Sequence, residues 1–136
     1  MPVRVVTDST SSVPPAMSAG LPLTIVSLTV TLGGVTQREI DMAPAQTEAF
    51  YRRMRETCEF PTSSQPSIAE MIDAFEAGVT VGDGVVAVLI SSDMSGTFAT
   101  AEMARDKVLE RQPDGRIALI DSRSNSMEVG FPALAA

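Results

Sequence analysis

The sequence of 136 residues contains no histidine and no tryptophan, and its only cysteine is Cys58. Without histidine, the chain lacks the side chain that usually carries a proton near neutral pH, which excludes a Ser–His–Asp arrangement built from this chain alone. A lone cysteine excludes an internal disulfide and a cysteine-based metal cluster. We expect the Cys58 thiol to be at least partly buried, because it follows Phe50, Tyr51 and Met54 at near-helical spacing.

Long apolar runs are also missing. The longest, residues 21–32, is interrupted by Pro22 and by several threonines and serines, and it is too short to span a bilayer. The first four residues lead directly into an apolar stretch, which predicts no signal peptide and no transmembrane segment. We therefore expect a cytoplasmic protein.

The charge balance is acidic, with 17 Asp and Glu against 10 Lys and Arg and a net charge of −7. This charge disfavours nucleic acid and anionic membrane surfaces as partners. An anionic ligand would have to be held by local geometry, since the overall charge repels it. Apolar residues make up 44% of the chain and charged residues 20%, which is typical of one soluble globular domain of this length.

Short apolar runs of strand length alternate with amphipathic stretches. Predicted strands cover residues 3–7, 23–32, 85–90 and 117–120, and predicted helices cover 44–57, 68–78, 95–111 and a stretch from about 126. Gly33-Gly34 predicts a hairpin turn, Ser67 and Glu70 form a capping box, and Gly78 is expected to end its helix. This alternation predicts a three-layer α/β domain with a mainly parallel sheet and helices on both faces.

Two hydroxyl-rich segments each precede a predicted helix: Pro-Thr-Ser-Ser-Gln-Pro-Ser at 61–67 and Ser-Ser-Asp-Met-Ser-Gly-Thr at 91–97. The first N–H groups of a helix have no partner within it, and the helix dipole makes that end partly positive. Hydroxyl groups converging there can seat a carboxylate or a phosphate. Asp8 and Asp121 follow two predicted strands and are expected at the same rim of the sheet.

Capping is the competing interpretation, because Ser, Thr and Asp commonly cap helices and order turns. Ser67 is expected to be a cap, and Asp8 and Asp121 can order the backbone. Capping does not require as many hydroxyls as these segments carry. A role in ligand contact therefore stays open for Ser63 and Ser95, which lie beside Thr62 and Ser92.

The chain contains neither a G-x-S-x-G elbow nor the glycine-rich phosphate-binding motifs, and its carboxylates lack metal-ligand spacing. We predict no catalytic residue, no metal and no cofactor. A small phosphate-handling enzyme is an open alternative, in which Asp8, Asp93 or Asp121 would have to act as the base.

The motifs together resemble the DegV family of bacterial fatty-acid-binding proteins. The resemblance runs through Val5 to Thr10, Phe50-Tyr51, Ser63 to Ser67, Ser91 to Thr97 and Asp121-Ser122. It implies a non-enzymatic subunit that binds a long-chain fatty acid and presents it to a fatty acid kinase catalytic subunit for acyl-phosphate synthesis. It also implies that Ser63 and Ser95 donate hydrogen bonds to the fatty acid carboxylate, with Thr62 and Ser92 as second choices. The family generally has threonine where this chain has Ser63.

Family members are about twice as long and bind the acyl chain between two domains. Residues 1–136 resemble the first domain alone, so we expect the second to be absent from this chain. A truncated interaction or dimerisation module with little lipid affinity is therefore a further alternative. Such a module would form a homo-oligomer through the surface that the second domain covers in the family.

Overall fold

The computed structural model describes residues 2–136. Its strands are, along the chain, β1 (Val3–Asp8), β2 (Leu23–Val26), β3 (Thr29–Leu32), β4 (Val35–Arg38), β5 (Thr62–Ser64), β6 (Gly84–Leu89) and β7 (Arg116–Asp121). The helices are α1 (Pro15–Ser18), α2 (Pro44–Thr57), α3 (Ile68–Val79), α4 (Thr97–Arg111) and α5 (Met127–Ala135). Short 3-10 turns occupy Ser9–Ser11 and Glu39–Asp41.

Four strands form a parallel sheet in the order β2-β1-β6-β7. Three further strands form a smaller antiparallel sheet in the order β4-β3-β5. The predicted three-layer fold with a mainly parallel sheet is confirmed. The third strand of the small sheet, β5, was not predicted, since three hydroxyl residues in a row carry no apolar alternation.

The core has two halves, one on each face of the parallel sheet. Val6 and Leu89 point toward α3 and α4, whereas Val5 and Val88 point toward α5. This alternation follows from the strand period of two residues. It explains why β1 and β6 read as continuous apolar runs, because both of their faces are covered.

The predicted strand at 23–32 is two strands that belong to different sheets. The chain leaves β2 at Ser27, whose N–H donates to Glu70 Oε1 at 3.0 Å, and the N–H of Leu28 donates to Ser9 Oγ at 2.9 Å. These side chains satisfy backbone groups that a continuous strand would have paired. The predicted hairpin is confirmed, with Gly33 and Gly34 at φ of 57° and 77° between β3 and β4.

The capping box at the start of α3 is half correct. Ser67 Oγ accepts the N–H of Glu70 at 3.1 Å, as expected of an N-cap. Glu70 Oε1 instead accepts from the Ser27 N–H and, at 2.7 Å, from Arg38 Nη2. The Glu70 carboxylate therefore binds donors from distant parts of the chain, and not the backbone N–H of Ser67 as the capping box predicts.

Gly78 does not end its helix, contrary to the sequence prediction, because α3 continues to Val79. A Cβ placed on Gly78 would lie 2.5 Å from Cγ2 of Val85 on β6. The glycine is therefore needed for close approach of helix and sheet, and its position near a helix end is incidental.

Helix α2 contributes no buried residue, and Cys58 at its end is exposed. The expectation of a buried thiol was wrong, because the apolar side of this helix faces a groove and not the core. Phe50 and Tyr51 form an edge-to-face pair there, with ring centroids 5.6 Å apart. Within residues 2–136, no helix combines the length and the apolar character that crossing a membrane requires.

The close approach at Gly78 gives a stability prediction. Alanine favours a helix over glycine by about 1 kcal/mol, but the contact with Val85 opposes it, and overpacking typically costs about 1–3 kcal/mol. We expect Gly78→Ala to lower the free energy of unfolding in urea, whereas Ala77→Ser at the neighbouring exposed position changes it little. A Gly78→Ala variant as stable as the parent would show that Val85 yields without cost.

Candidate functional site

Asp8, the last residue of β1, joins two neighbouring strands at their carboxyl ends. Its side chain is 0% exposed. Oδ2 accepts the N–H of Ile90 at 2.8 Å, and Oδ1 accepts both the N–H and the hydroxyl of Thr10. A buried carboxylate requires such donors to offset its lost hydration. The Asp8 carboxylate therefore fixes the point where the chain leaves β6 toward segment 91–97.

A second carboxylate ties β7 to the same segment. Asp121 Oδ2 accepts the hydroxyl of Ser92 at 2.6 Å, and Oδ1 accepts the N–H groups of Ser92 and Arg123 at 3.2 and 3.0 Å. The Ser92 hydroxyl, followed by the Arg123 N–H, lowers the pKa of Asp121. Because the Ser92 proton is committed to Asp121, Ser92 is poorly placed to donate to a ligand.

Ser95 lies at the entrance to α4 and is half-buried. Its Oγ accepts the N–H of Thr97 at 3.2 Å and lies 2.9 Å from Thr97 Oγ1. Gly96 caps the helix through its carbonyl, which accepts from both the N–H and the hydroxyl of Thr100. Ser95 thus satisfies one of the free N–H groups of the helix and places its hydroxyl beside the others.

Ser63 lies at the centre of the exposed edge strand β5 and pairs with Val30 on β3. Directly paired residues share a sheet face, so Ser63 and Val30 point to the same side. Both line a groove of about 210 Å³ together with Thr62 and with Phe50 and Tyr51 of α2.

Thr62 belongs to the other face of the small sheet. It pairs with Thr31, whose hydroxyl lies 2.7 Å from the hydroxyl of Thr36. Strand alternation therefore gives Thr62 and Ser63 opposite directions. Of the two, only Ser63 shares the face of Val30.

The two hydroxyl-rich segments meet through Gln65 and Gly96. A Cβ on Gly96 would lie 2.9 Å from Gln65 Oε1 and 3.0 Å from its Nε2, so the Gln65 amide packs against the glycine. The φ of Gly96 is −71°, which any residue can adopt, so close approach is what the glycine provides here. Gln65 follows Ser63 by two positions and Gly96 follows Ser95 directly, so the segments that carry the two serines are in contact here.

A larger groove of about 570 Å³ continues from the one at Ser63 and shares Val30, Phe50 and Tyr51 with it. This volume is within the usual range for small-molecule sites. Its lining mixes apolar and hydroxyl side chains, including those of Val13, Met42, Ile90, Ser9, Thr10 and Thr47. A site of this kind can hold an elongated apolar molecule with one polar end. Among residues 2–136, no cluster of acidic and cysteine side chains has an arrangement suited to a metal ion.

Sequence reasoning missed the contributions of Val30 and Gln65 to this site. In the sequence, nothing distinguishes Val30 from the other residues of its strand. Its pairing with Ser63 depends on β5, which was not predicted. Gln65 reads as a linker between hydroxyls and a proline. The apolar side of α2, formed by Phe50, Tyr51 and Met54, was the available signal for a groove wall.

Comparison with known proteins assigns the chain to a family. Residues 2–136 match the family model described as "Uncharacterised protein, DegV family". DegV domain-containing proteins of Clostridium acetobutylicum and Clostridium perfringens are 42% and 40% identical over 136 and 134 residues, covering 100% and 98% of this chain. The match covers 46% of each of those proteins, so the chain spans about half the length of the curated relatives.

Solved structures give the same family and a similar fold. DegV of Bacillus subtilis, described as a fatty acid binding protein, has a TM-score of 0.83 and 32% identity over 98% of this chain and 45% of its own. A DegV family protein from Thermus thermophilus, described by its fatty acid binding, has a TM-score of 0.81 and 31% identity over 99% and 46%. A stearic acid-binding protein of Eubacterium ventriosum has a TM-score of 0.81 and 31% identity over 91% and 42%.

The pairing of Ser92 with Asp121 generates a prediction about pH. The folded pKa of Asp121 lies below its unfolded value. The stability contributed by this pairing is therefore complete above the unfolded pKa and lost as the pH falls through the folded one. We expect Ser92→Ala to raise the pKa of Asp121 in an NMR titration of its carboxyl carbon, with Ser124→Ala as the control. An unchanged Asp121 pKa in Ser92→Ala would show that the hydroxyl does not hold the carboxylate in solution.

Proposed function

This chain belongs to the DegV family, and we propose that it binds the carboxylate end of a long-chain fatty acid. Ser63 and Ser95 are the proposed donors to the carboxylate, and Thr62 and Ser92 are secondary candidates. The observation that carries the proposal is the packing of Gln65 on Gly96, which joins the two hydroxyl segments, and the first of these segments lines a groove through Ser63. Relatives over 30% identical that are described as fatty-acid-binding proteins support it.

As candidate donors to the carboxylate, we place Ser63 above Thr62 and Ser95 above Ser92, because of the sheet face and the hydrogen-bond partners of each. Both residues of the first pair line the smaller groove, but Ser63 shares its sheet face with Val30, whereas Thr62 shares its face with Thr31. The Ser92 hydroxyl donates to Asp121, whereas Ser95 has only another hydroxyl and an N–H nearby. A carboxylate only accepts hydrogen bonds, so hydroxyls with available protons are the ones it requires.

We further propose that the bound fatty acid is presented to a fatty acid kinase catalytic subunit for acyl-phosphate formation. Holding the carboxylate with neutral hydroxyls at the rim leaves its oxygens accessible to a partner that supplies the phosphoryl group. Acyl phosphate formed by such a kinase only when this chain is added is the assay for this step.

The small phosphate-handling enzyme is less well supported. One of its three candidate bases, Asp8, is 0% exposed and already accepts three hydrogen bonds. Asp121 accepts three more, and its lowered pKa makes it a weaker base. These carboxylates order the loops that carry the hydroxyls.

The energetics predict weak binding by a single copy of this 136-residue chain. Burying about fourteen methylenes at about 0.8 kcal/mol each yields roughly 11 kcal/mol, of which one groove wall recovers about half. Two charged hydrogen bonds add about 1.5–3 kcal/mol each, and association costs about 4 kcal/mol or more. These terms leave about 4.5–7.5 kcal/mol, so we expect a Kd for palmitate of about 3 μM or weaker when ultracentrifugation shows a monomer. Sub-micromolar binding by a monomer would contradict the one-wall estimate.

A second copy that covers the groove is the alternative consistent with tighter binding. Exposed aromatic side chains beside the groove favour it, since Tyr51 is 53% and Phe60 94% exposed. In that case dimer formation and palmitate binding would rise together with protein concentration.

The serines give the mutational test. Ser63→Ala and Ser95→Ala should each weaken palmitate binding by about 10- to 100-fold, the loss expected when one hydrogen bond to a charged group is removed. Ser64→Ala is the matched control, because Ser64 neighbours Ser63 on the strand and points to the other face. Palmitate supplied from phosphatidylcholine vesicles and quantified in the protein fraction by mass spectrometry measures the change. An equal decrease in palmitate binding in all three variants would show that Ser63 and Ser95 do not bind the carboxylate specifically.

A further inference from the structure

We propose that Thr97 is a positioning residue that makes Ser95 an obligate hydrogen-bond donor to the ligand and thereby selects an ionised carboxylate. This inference rests on the proposed function, because it assigns the selectivity of the same site. It concerns a side chain that is fully buried and has no direct access to a ligand.

The environment of the Thr97 hydroxyl is unusual among the buried threonines. The hydroxyls of Thr7 and Thr100 donate to backbone carbonyls, those of Val88 and Gly96, at 2.8 and 3.2 Å. Within residues 2–136, the only hydrogen-bond partner of Thr97 Oγ1 is Ser95 Oγ, at 2.9 Å. Thr97 is 0% exposed, so solvent does not provide another.

Only one direction of this hydrogen bond pairs every group. A buried hydroxyl proton requires an acceptor, and for Thr97 that acceptor is Ser95 Oγ. The N–H of Thr97 donates to the same oxygen at 3.2 Å. A serine oxygen has two lone pairs, so both are then used. The opposite direction, with Ser95 donating, would leave the Thr97 proton buried without an acceptor.

The consequence is that the Ser95 proton must point away from Thr97. With both lone pairs engaged, Ser95 can donate but cannot accept. A carboxylate matches this state because it only accepts, and a hydrogen bond to an ionised group is about twice as strong as one to a neutral group. A fatty alcohol of the same length gains only the weaker bond. Thr97 thus converts a hydroxyl that could serve either role into a donor.

The contrast with Ser92 supports this assignment. Ser92 lies in the same segment, but its hydroxyl donates to the Asp121 carboxylate at 2.6 Å. Its proton is therefore engaged by the Asp121 carboxylate. Ser95 pairs with the buried Thr97 hydroxyl, and its own proton is therefore free for a ligand, whereas that of Ser92 is not.

The test compares ligand selectivity in two substitutions at Thr97. Thr97→Val keeps the shape but removes the hydroxyl, and Thr97→Ser keeps the hydroxyl and removes the methyl group. Each protein is mixed with phosphatidylcholine vesicles that carry equal amounts of palmitic acid and palmityl alcohol, and bound lipids are quantified by mass spectrometry. We expect the acid-to-alcohol ratio to fall about tenfold in Thr97→Val and to stay within about twofold in Thr97→Ser, with bound alcohol unchanged in both.

A purely structural role would lower acid and alcohol in parallel, and that result overturns the proposal. An unchanged ratio in Thr97→Val, or a ratio in Thr97→Ser as low as in Thr97→Val, overturns it as well. If Thr97→Val does not fold by circular dichroism, Thr97→Ala removes the same hydroxyl without adding a branched apolar group and is read in the same way. A parent protein that binds alcohol as well as acid would instead show that the proposed carboxylate function itself is wrong.

Discussion

The buried Asp8 carboxylate is the interaction on which the arrangement of the rim depends. It accepts from Ile90 at the end of β6 and from Thr10 beyond the end of β1, so it fixes the exits of the two central strands relative to each other. Asp121, at the end of the neighbouring strand β7, accepts the N–H and the hydroxyl of Ser92 in a similar way. Segment 91–97, which carries Ser95, is thus held at its start by carboxylates from the strands on both sides. The start of α4 is thereby held against the segment that follows β5, through the contact of Gly96 with Gln65.

This construction explains how an acidic chain can hold an anion. The carboxylates nearest the rim have their oxygens turned toward backbone N–H groups and hydroxyls, which neutralise much of their effect at short range. The donors left for a ligand are neutral hydroxyls at the partly positive start of a helix. Such donors suit a carboxylate, which only accepts hydrogen bonds. Under the proposed function, the groove would supply most of the binding free energy and the hydroxyls would select the head group.

The sequence was sufficient for the parallel sheet, because runs such as 85–90 must be covered on both faces, and for most helix bounds, since α2 begins and ends where its pattern predicts. It failed where tertiary contacts override local patterns. Glu70 accepts hydrogen bonds from Ser27 and Arg38 and does not cap its own helix. Gly78 allows the close approach of α3 to Val85. Both candidate serines could be named from the motifs. Their relation to Val30 and Gln65 could not, because it depends on a strand without an apolar pattern.

The most direct test of the central claim is a crystal structure of this chain with palmitate bound. The account predicts one carboxylate within hydrogen-bond distance of both Ser63 Oγ and Ser95 Oγ, with the acyl chain along Val30, Phe50 and Tyr51. A carboxylate that contacts neither serine, or an acyl chain bound outside that groove, would contradict it.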